Sequence, residues 1–380
     1  MKKKLLFIIN HYSPESDQHL FHVLNLVKEI AKRGVKVALV IERCYGEPPA
    51  LGNNIEVYAQ KQKNKLLRII ELFVIMNGLI KRGYNKIFVR ISIHTAYVAI
   101  ICSKIYHGET FFWHSGQGIE LIDEVSKPQK KDLERGRRRL NRIGRHIDHF
   151  VTGPESMMSY YEKWYGIPHN KMTLLYNDVD IKRFEFINEV KKKSLRDELG
   201  LDNNKIYILF VHRFSPVRKS MYYIPYCMEK VDRDDVEYIL IGSGPEEEQV
   251  KEQVQKSGIG NIVFLGSRPN NEIQKYYGAC DIFFNPTYCE GFPRVIIEAM
   301  ACGIPIVTTN AGGISDILDG YQKNYVVDIN DRDLLADKLK SMIDSPEDRA
   351  RCIESNLVRI NKYSTENVAG MYINTIWGKK

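Results

Sequence analysis

A chain of 380 residues is too long for one ordinary hydrophobic core and predicts two domains. Hydrophobic residues at 44% and charged residues at 27% are those of an ordinary globular protein. The formal charge of +8 suits anionic partners such as nucleotide diphosphates, anionic head groups or polyphosphates, and falls short of the basic extreme of a nucleic-acid binder.

The seven cysteines are odd in number and scattered, with no Cys-x-x-Cys pair. This argues for a reducing compartment and against a disulfide framework or a zinc site. The apolar run 5–9 is too short for a signal peptide, and the longest apolar segment, 69–80, falls short of the roughly 20 residues that span a bilayer. The expectation is a cytoplasmic protein, peripheral at most.

In chain order, residues 5–9 read as a buried parallel strand, followed by the loop NHYSPESDQ. A helical period through Leu20, Val23, Leu24, Val27 and Ile30 stops at Arg33-Gly34, a cation and a C-cap glycine. Strand 35–41 completes a strand-helix-strand unit, which implies a right-handed crossover and a parallel sheet. Strands at 55–58, 86–91, 110–113, 149–152 and 171–176 follow, with helices at 65–82, 95–106, 130–145 and 155–165 between them. Segment 177–184 reads as the exit from a first domain of residues 1–182.

A second alternation occupies 183–362, with strands at 205–211, 236–241, 261–265, 281–285, 304–308 and 324–327. Helices fill the gaps, the last full one at 331–345. The fold class is therefore α/β, with two consecutive doubly wound, Rossmann-like lobes and an expected cleft between them. Ligands in such sheets bind beyond the carboxyl ends of the strands, where the motifs below fall.

The densest motif lies between 281 and 317. Glu290 and Glu298 stand eight residues apart across a loop-to-helix junction. Gly291 permits a tight turn after Glu290, and Pro293 is placed as the first helical residue. Free N–H groups near 291–295 favour an anion. The carboxylates suit paired sugar or ribose hydroxyls. In HRFSPVRKS, Arg213 and a cation five or six residues later, Arg218 or Lys219, form a candidate diphosphate clamp. Gly242-Ser243-Gly244-Pro245 is a turn at a strand end, and His114 ends another strand; His11 and His94 follow strands too and read as structural. A basic stretch, 130–145, carries Lys130, Lys131, Arg135, Arg137, Arg138, Arg139, Arg142 and Arg145. With the apolar-faced helix 65–82 it suits an anionic membrane surface, and without interleaved aromatics it does not suit nucleic acid.

The pattern Asn285-Pro286, Glu290-Gly291-Phe292-Pro293, then 298–307 (EAMACGIPIV) and Gly312-Gly313 resembles the signature of retaining glycosyltransferases of family 4, group 1, which have the GT-B fold. The resemblance implies two Rossmann-like lobes facing a central cleft, with a final segment near 363–380 packing back on the first. It implies a hexosyltransferase acting on a nucleotide diphosphate sugar, UDP- or GDP-linked. Glu290 would hold sugar hydroxyls and Glu298 the ribose, while Gly291, Phe292 and Pro293 present backbone groups. Arg213 with Arg218 or Lys219 would steady the leaving diphosphate. Gly242 and Gly244 match the family's Gly-x-Gly-Pro turn, and His114 would lie near the donor sugar. The leaving phosphate serves as base in such relatives, and no metal or other cofactor is expected.

The acceptor, a glycan or lipid-linked glycan of a surface-polysaccharide pathway, would sit on the first lobe near 15–18 and 116–120. Family members carry Gly-Gly in the loop after the first strand. Here that loop is Ser13-Pro14-Glu15-Ser16-Asp17, and Ser16 or Asp17 would fill the space. The competing readings are a nucleotide-sugar epimerase of the same fold and a sugar-nucleotide-binding protein without turnover.

Overall fold

The computed structural model describes residues 3–14, 21–118 and 127–378. The chain divides into two compact units, Met1–Tyr176 with Thr365–Lys380, and Asn177–Ser364. The first joint thus falls a few residues before the expected break at 182.

The first unit runs β1 (Lys4–Ile9), α1 (Phe21–Lys32), β2 (Lys36–Ile41), β3 (Ile55–Ala59), α2 (Lys65–Lys81), β4 (Lys86–Arg90), α3 (Ile93–Tyr106), β5 (Glu109–Trp113), α4 (Lys127–His146), β6 (His149–Thr152), α5 (Glu155–Tyr165) and β7 (Met172–Leu174). The strands form one sheet in the order β3-β2-β1-β4-β5-β6-β7, and each pairing is parallel. Strand residues alternate between its two faces. Leu6, Ile8, Val89, Phe112 and Phe150 join the core under α2, α3, α4 and α5. Phe7 and Phe88, on the other face, stack at 5.0 Å. There α14 (Thr365–Trp377) packs against α1, and its Tyr372 ring lies 5.1 Å from Phe88.

The second unit runs α6 (Glu189–Leu199), β8 (Ile206–Val211), α7 (Ser220–Val231), β9 (Val236–Ile241), α8 (Glu247–Lys256), β10 (Ile262–Gly266), α9 (Asn270–Ala279), β11 (Ile282–Asn285), α10 (Arg294–Cys302), β12 (Ile306–Thr309), α11 (Ile314–Ile317), β13 (Val326–Val327), α12 (Arg332–Asp344) and α13 (Pro346–Ile360). Its parallel sheet has the order β10-β9-β8-β11-β12-β13. Near-continuous apolar strands such as 206–211 follow from burial on both faces.

One helix expectation needs correction. The helix at 332–344 is not the last full one, since α13 follows after a single residue. Ser345 ends α12 and caps α13, its hydroxyl accepting from Asp348 N at 3.1 Å, and Pro346 opens the new helix.

The strand order reverses between β1 and β4 in the first unit and between β8 and β11 in the second. Loops leaving the carboxyl ends of such neighbours diverge, opening a crevice that is the ligand position of this architecture.

Candidate functional site

In the second unit the loops after β8 and β11 meet at the reversal. His212, the first residue beyond β8, places Nε2 2.6 Å from Oε1 of Glu290. Arg218 Nε lies 3.1 Å from the same oxygen and 3.1 Å from His212 Nε2. Oε1 is thus held from two sides, and among the described residues no hydrogen bond reaches Oε2. Burial pushes the Glu290 carboxyl up, but His212 and Arg218 outweigh it and hold the group below its usual range. Glu290 is therefore an oriented carboxylate with one acceptor oxygen turned from its protein partners.

The two loops are tied further. Tyr288 N donates to Arg218 O at 3.1 Å, and Lys219 Nζ lies 3.5 Å from the centre of the Tyr288 ring. Lys219 adopts a left-handed backbone, φ 54°, immediately before α7. Of the two cations left open by spacing, Arg218 binds Glu290 while Lys219 lies on Tyr288. Arg213 is exposed, and its side chain makes no hydrogen bond or ion pair among the described residues.

Gly242 and Gly244 lie directly against this loop. A Cβ on Gly242 would come within 1.8 Å of the His212 carbonyl oxygen, and one on Gly244 within 2.0 Å of that of Phe214. Gly242 also has φ 143°, a conformation that favours glycine. The Gly-x-Gly-Pro turn is thus the backbone floor on which His212, Arg213 and Phe214 rest.

Helix α10 begins one residue later than expected. Pro293 is extended, with φ −70° and ψ 118°, and precedes the helix rather than opening it. The helix start has no side-chain cap, so its first N–H groups lack intrahelical partners. Phe292 is buried and its carbonyl accepts from Asn177 Nδ2 at 3.1 Å; the Gly291 carbonyl accepts from Gly313 N at 3.1 Å. The Gly-Gly turn therefore braces the loop that carries Glu290.

Glu298 is buried with its own partners, Arg294 Nη2 at 3.6 Å and the Tyr277 hydroxyl at 3.4 Å. Burial raises its pKa, against the opposing pull of Arg294 and Arg183. The two carboxylates thus sit in different electrostatic settings, one lowered and one raised.

Sequence reasoning missed His212, Arg294 and Tyr277. His212 had a visible signal, since it follows a strand as His114 does. Arg294 had the i, i+4 spacing to Glu298. Tyr277 had none.

His114 lies in the first unit, after β5. Its Nδ1 is 2.6 Å from the Tyr161 hydroxyl, which also accepts from Gly116 N at 2.9 Å. Ser115 Oγ donates to Gly153 O at 2.7 Å, and Gly118 N to the Tyr160 hydroxyl at 3.1 Å. Burial pushes the His114 pKa down to about 4. The folded state then keeps this ring neutral between its ordinary 6.5 and about 4, while the unfolded chain takes up a proton. Its contribution is present above 6.5 and is lost as pH falls through that window, by about 1.4 kcal/mol per unit. Histidine-selective NMR is expected to show one imidazole titrating near pH 4; a His114 midpoint above 6 would contradict the burial argument.

His94 opens α3, where burial and the nearby Lys65 and Arg139 lower its pKa, and His11 is half-buried after β1. Ser16, with Glu15 and Asp17, lies outside the described residues, as do 119 and 120 of the expected acceptor segment. Among the described residues, no group of three or more His, Cys, Asp or Glu could hold a metal ion, and no helix is long and apolar enough to cross a membrane.

Two family models match in succession, Glycosyltransferase Family 4 over residues 21–183 and Glycosyl transferases group 1 over residues 191–357. The chain belongs to the family 4, group 1 glycosyltransferases. Among family members it is 31% identical over 145 residues to the putative teichuronic acid biosynthesis glycosyltransferase TuaC of Bacillus subtilis, covering 38% of this chain and 34% of that one. The chain matches less than half the length of the first curated relatives, 44%, 34% and 41%.

Solved structures match throughout. Sucrose-phosphate synthase of Thermosynechococcus elongatus gives a TM-score of 0.81 at 18% identity, covering 98% of both chains. Anabaena Alr3699/HepE in complex with UDP gives 0.74 at 18% identity, covering 98% of this chain and 99% of that one. This likeness establishes GT-B, with two Rossmann-like lobes, as the fold of this glycosyltransferase.

Proposed function

We propose that the protein is a retaining hexosyltransferase that moves a sugar from a UDP- or GDP-sugar to a glycan or lipid-linked acceptor in surface-polysaccharide synthesis. The observation that carries this reading is Glu290, held on Oε1 by His212 and Arg218 with no hydrogen bond to Oε2 among the described residues. Oε2 accepts hydroxyls of the donor sugar, and Glu298 those of the ribose. Arg213 and Lys219 flank the diphosphate, and the uncapped start of α10 adds its N–H groups.

Negative charge grows on the diphosphate as the glycosidic bond breaks. Fixed cations and N–H groups at that position lower the barrier, and the leaving phosphate takes the acceptor proton. The protein's own cations balance the charge in this reading, with no metal assigned. The UDP in the HepE complex and the teichuronic acid assignment of TuaC support the donor class and the pathway.

The acceptor side belongs to the first unit, at the carboxyl ends of its strands. That unit also exposes Leu66, Ile70 and Val74 along α2 and carries the basic helix α4. The pair fits an anionic lipid surface that presents lipid-linked acceptors.

Incubation with UDP- and GDP-sugars and a panel of such acceptors tests the reading. The expected result is acceptor-dependent release of the nucleotide diphosphate. Tight nucleotide binding with no release for any acceptor would leave a binding protein instead.

A further inference from the structure

The first unit contains a cavity of about 470 Å³ that the sugar-transfer reading does not use. Its lining includes Arg137, Arg138, Asn141, Arg142, Arg145 and Tyr165, together with His146. Helix α4 delivers the chain to the start of β6, and α5 ends at Tyr165 shortly before β7 begins. The second half of α4 and the end of α5 therefore lie toward the amino-end edge of the sheet. The strand carboxyl ends, where this architecture places its substrates, are at the opposite edge.

The cavity wall is firmly seated. Leu140 and Ile143 are buried, and Asn141 Nδ2 donates to Tyr165 O at 2.6 Å. A Cβ on Gly144 would come within 2.8 Å of the Ile167 side chain, so α4 runs close against the segment after α5. Lys171 Nζ donates to Arg145 O at 2.7 Å and joins the end of α4 to the chain entering β7.

The charges at this wall are poorly balanced. No acidic residue lines the cavity. Arg138 has Glu134 at 3.6 Å, while Arg137, Arg142 and Arg145 form no ion pair among the described residues. Arg138 and Arg142 stand i, i+4 and Arg142 and Arg145 i, i+3, spacings at which like charges repel by a few tenths of a kcal/mol each. Folding alone gains nothing from this arrangement. Guanidinium groups lining a concave site match phosphate oxygens through paired N–H donors.

We infer that the α4–α5 cavity is a second anion site, which binds a ligand bearing at least two clustered phosphate groups. Arg138, Arg142 and Arg145 hold the phosphate oxygens, and Asn141 and Tyr165 form the wall between helices. The inference is independent of the donor chemistry of the second unit. It also gives the proposed lipid-facing surface a defined phosphate seat. A soluble diphosphate and a membrane headgroup share this chemistry, and the experiment separates them.

Calorimetric titration with sodium pyrophosphate at fixed ionic strength is the test. Arg142→Gln/Arg145→Gln is expected to lose about tenfold or more in affinity for one pyrophosphate equivalent, as for the loss of charge-assisted pairs. Without ligand its melting temperature should equal or exceed that of the wild type, because repulsion has been removed. Arg213→Gln/Lys219→Gln, which alters only the donor loop, should keep this equivalent, and UDP affinity should be unchanged in Arg142→Gln/Arg145→Gln.

Flotation with vesicles containing cardiolipin, whose headgroup carries two phosphates, identifies the source. Recovery that pyrophosphate abolishes, and that Arg142→Gln/Arg145→Gln lacks, assigns a headgroup; pyrophosphate binding without flotation assigns a soluble ligand. Equal pyrophosphate affinity in wild type and Arg142→Gln/Arg145→Gln overturns the site. So does loss of all pyrophosphate binding in Arg213→Gln/Lys219→Gln.

Discussion

Glu290→Gln is expected to lower kcat/KM for sugar transfer by about 100-fold or more, in the range found when a preorganised polar group is removed from a reaction centre. Its melting temperature at neutral pH should fall only modestly. Glutamine keeps a carbonyl oxygen that His212 and Arg218 can still reach, so their donors remain satisfied. What it loses is the charge and the second acceptor lone pairs at the position of Oε2. Glu290→Ala is a poorer probe, because it strands two donors beside a buried gap at about 1–3 kcal/mol each.

The pH dependence separates the charge from the shape. The folded-state pKa of Glu290 is depressed, so its stabilising contribution is present above the ordinary carboxylate range and is lost as pH falls through the depressed value. The difference in unfolding free energy between wild type and Glu290→Gln should therefore shrink on acidification. Glu298 carries the opposite sign, since its raised pKa weakens the fold near neutrality. Affinity for UDP alone should survive Glu290→Gln, because the carboxylate is assigned to the sugar. Turnover of the variant within threefold of wild type would remove Glu290 from the reaction.

Gly242→Ala is expected to cost about 3 kcal/mol or more of stability, among the largest effects of a single methyl group. The added Cβ would lie 1.8 Å from the His212 carbonyl oxygen, and φ 143° suits no side chain. Neither obstacle yields by rotating a side chain, because both are backbone. The strand-end loop from His212 to Phe214 would have to move, taking His212 from Glu290 and displacing Arg213. Stability and turnover should therefore fall together. Gly260→Ala is the matched control, with nothing within 4 Å of its Cβ and a change within about 0.5 kcal/mol expected. Denaturant unfolding of the two variants decides the matter, and equal midpoints would contradict the packing argument.

The strands were legible because burial on both faces leaves an uninterrupted apolar run, as in 206–211 and 236–241. Helix 346–360 was passed over because Ser345 serves both it and helix 332–344, leaving no loop residues to mark a new start. The acidic pair was legible as spacing, but its partners were not. His212 and Glu290 are 78 residues apart, and only the pairing of β11 with β8 brings their loops together. A pattern within one strand does not state which strand lies beside it.

Arg218 and Lys219 were indistinguishable by type and position. A guanidinium forms charge-assisted bonds to a carboxylate and to a phosphate alike, so its spacing could not say which it serves. Gly242 and Gly244 read as a turn, whereas their chief constraint is a neighbouring backbone.

The return of α14 to the first unit has a consequence for how the protein is made. Tyr372 packs on Phe88, and α14 lies along α1. During synthesis, the first unit emerges with one side of its sheet covered only in part until Thr365–Trp377 has left the ribosome, while every strand of the second unit comes out in the interval. The part of the molecule translated first is thus completed last. Nascent chains halted between the two units would display Phe88 without its Tyr372 cover, a natural target for chaperones.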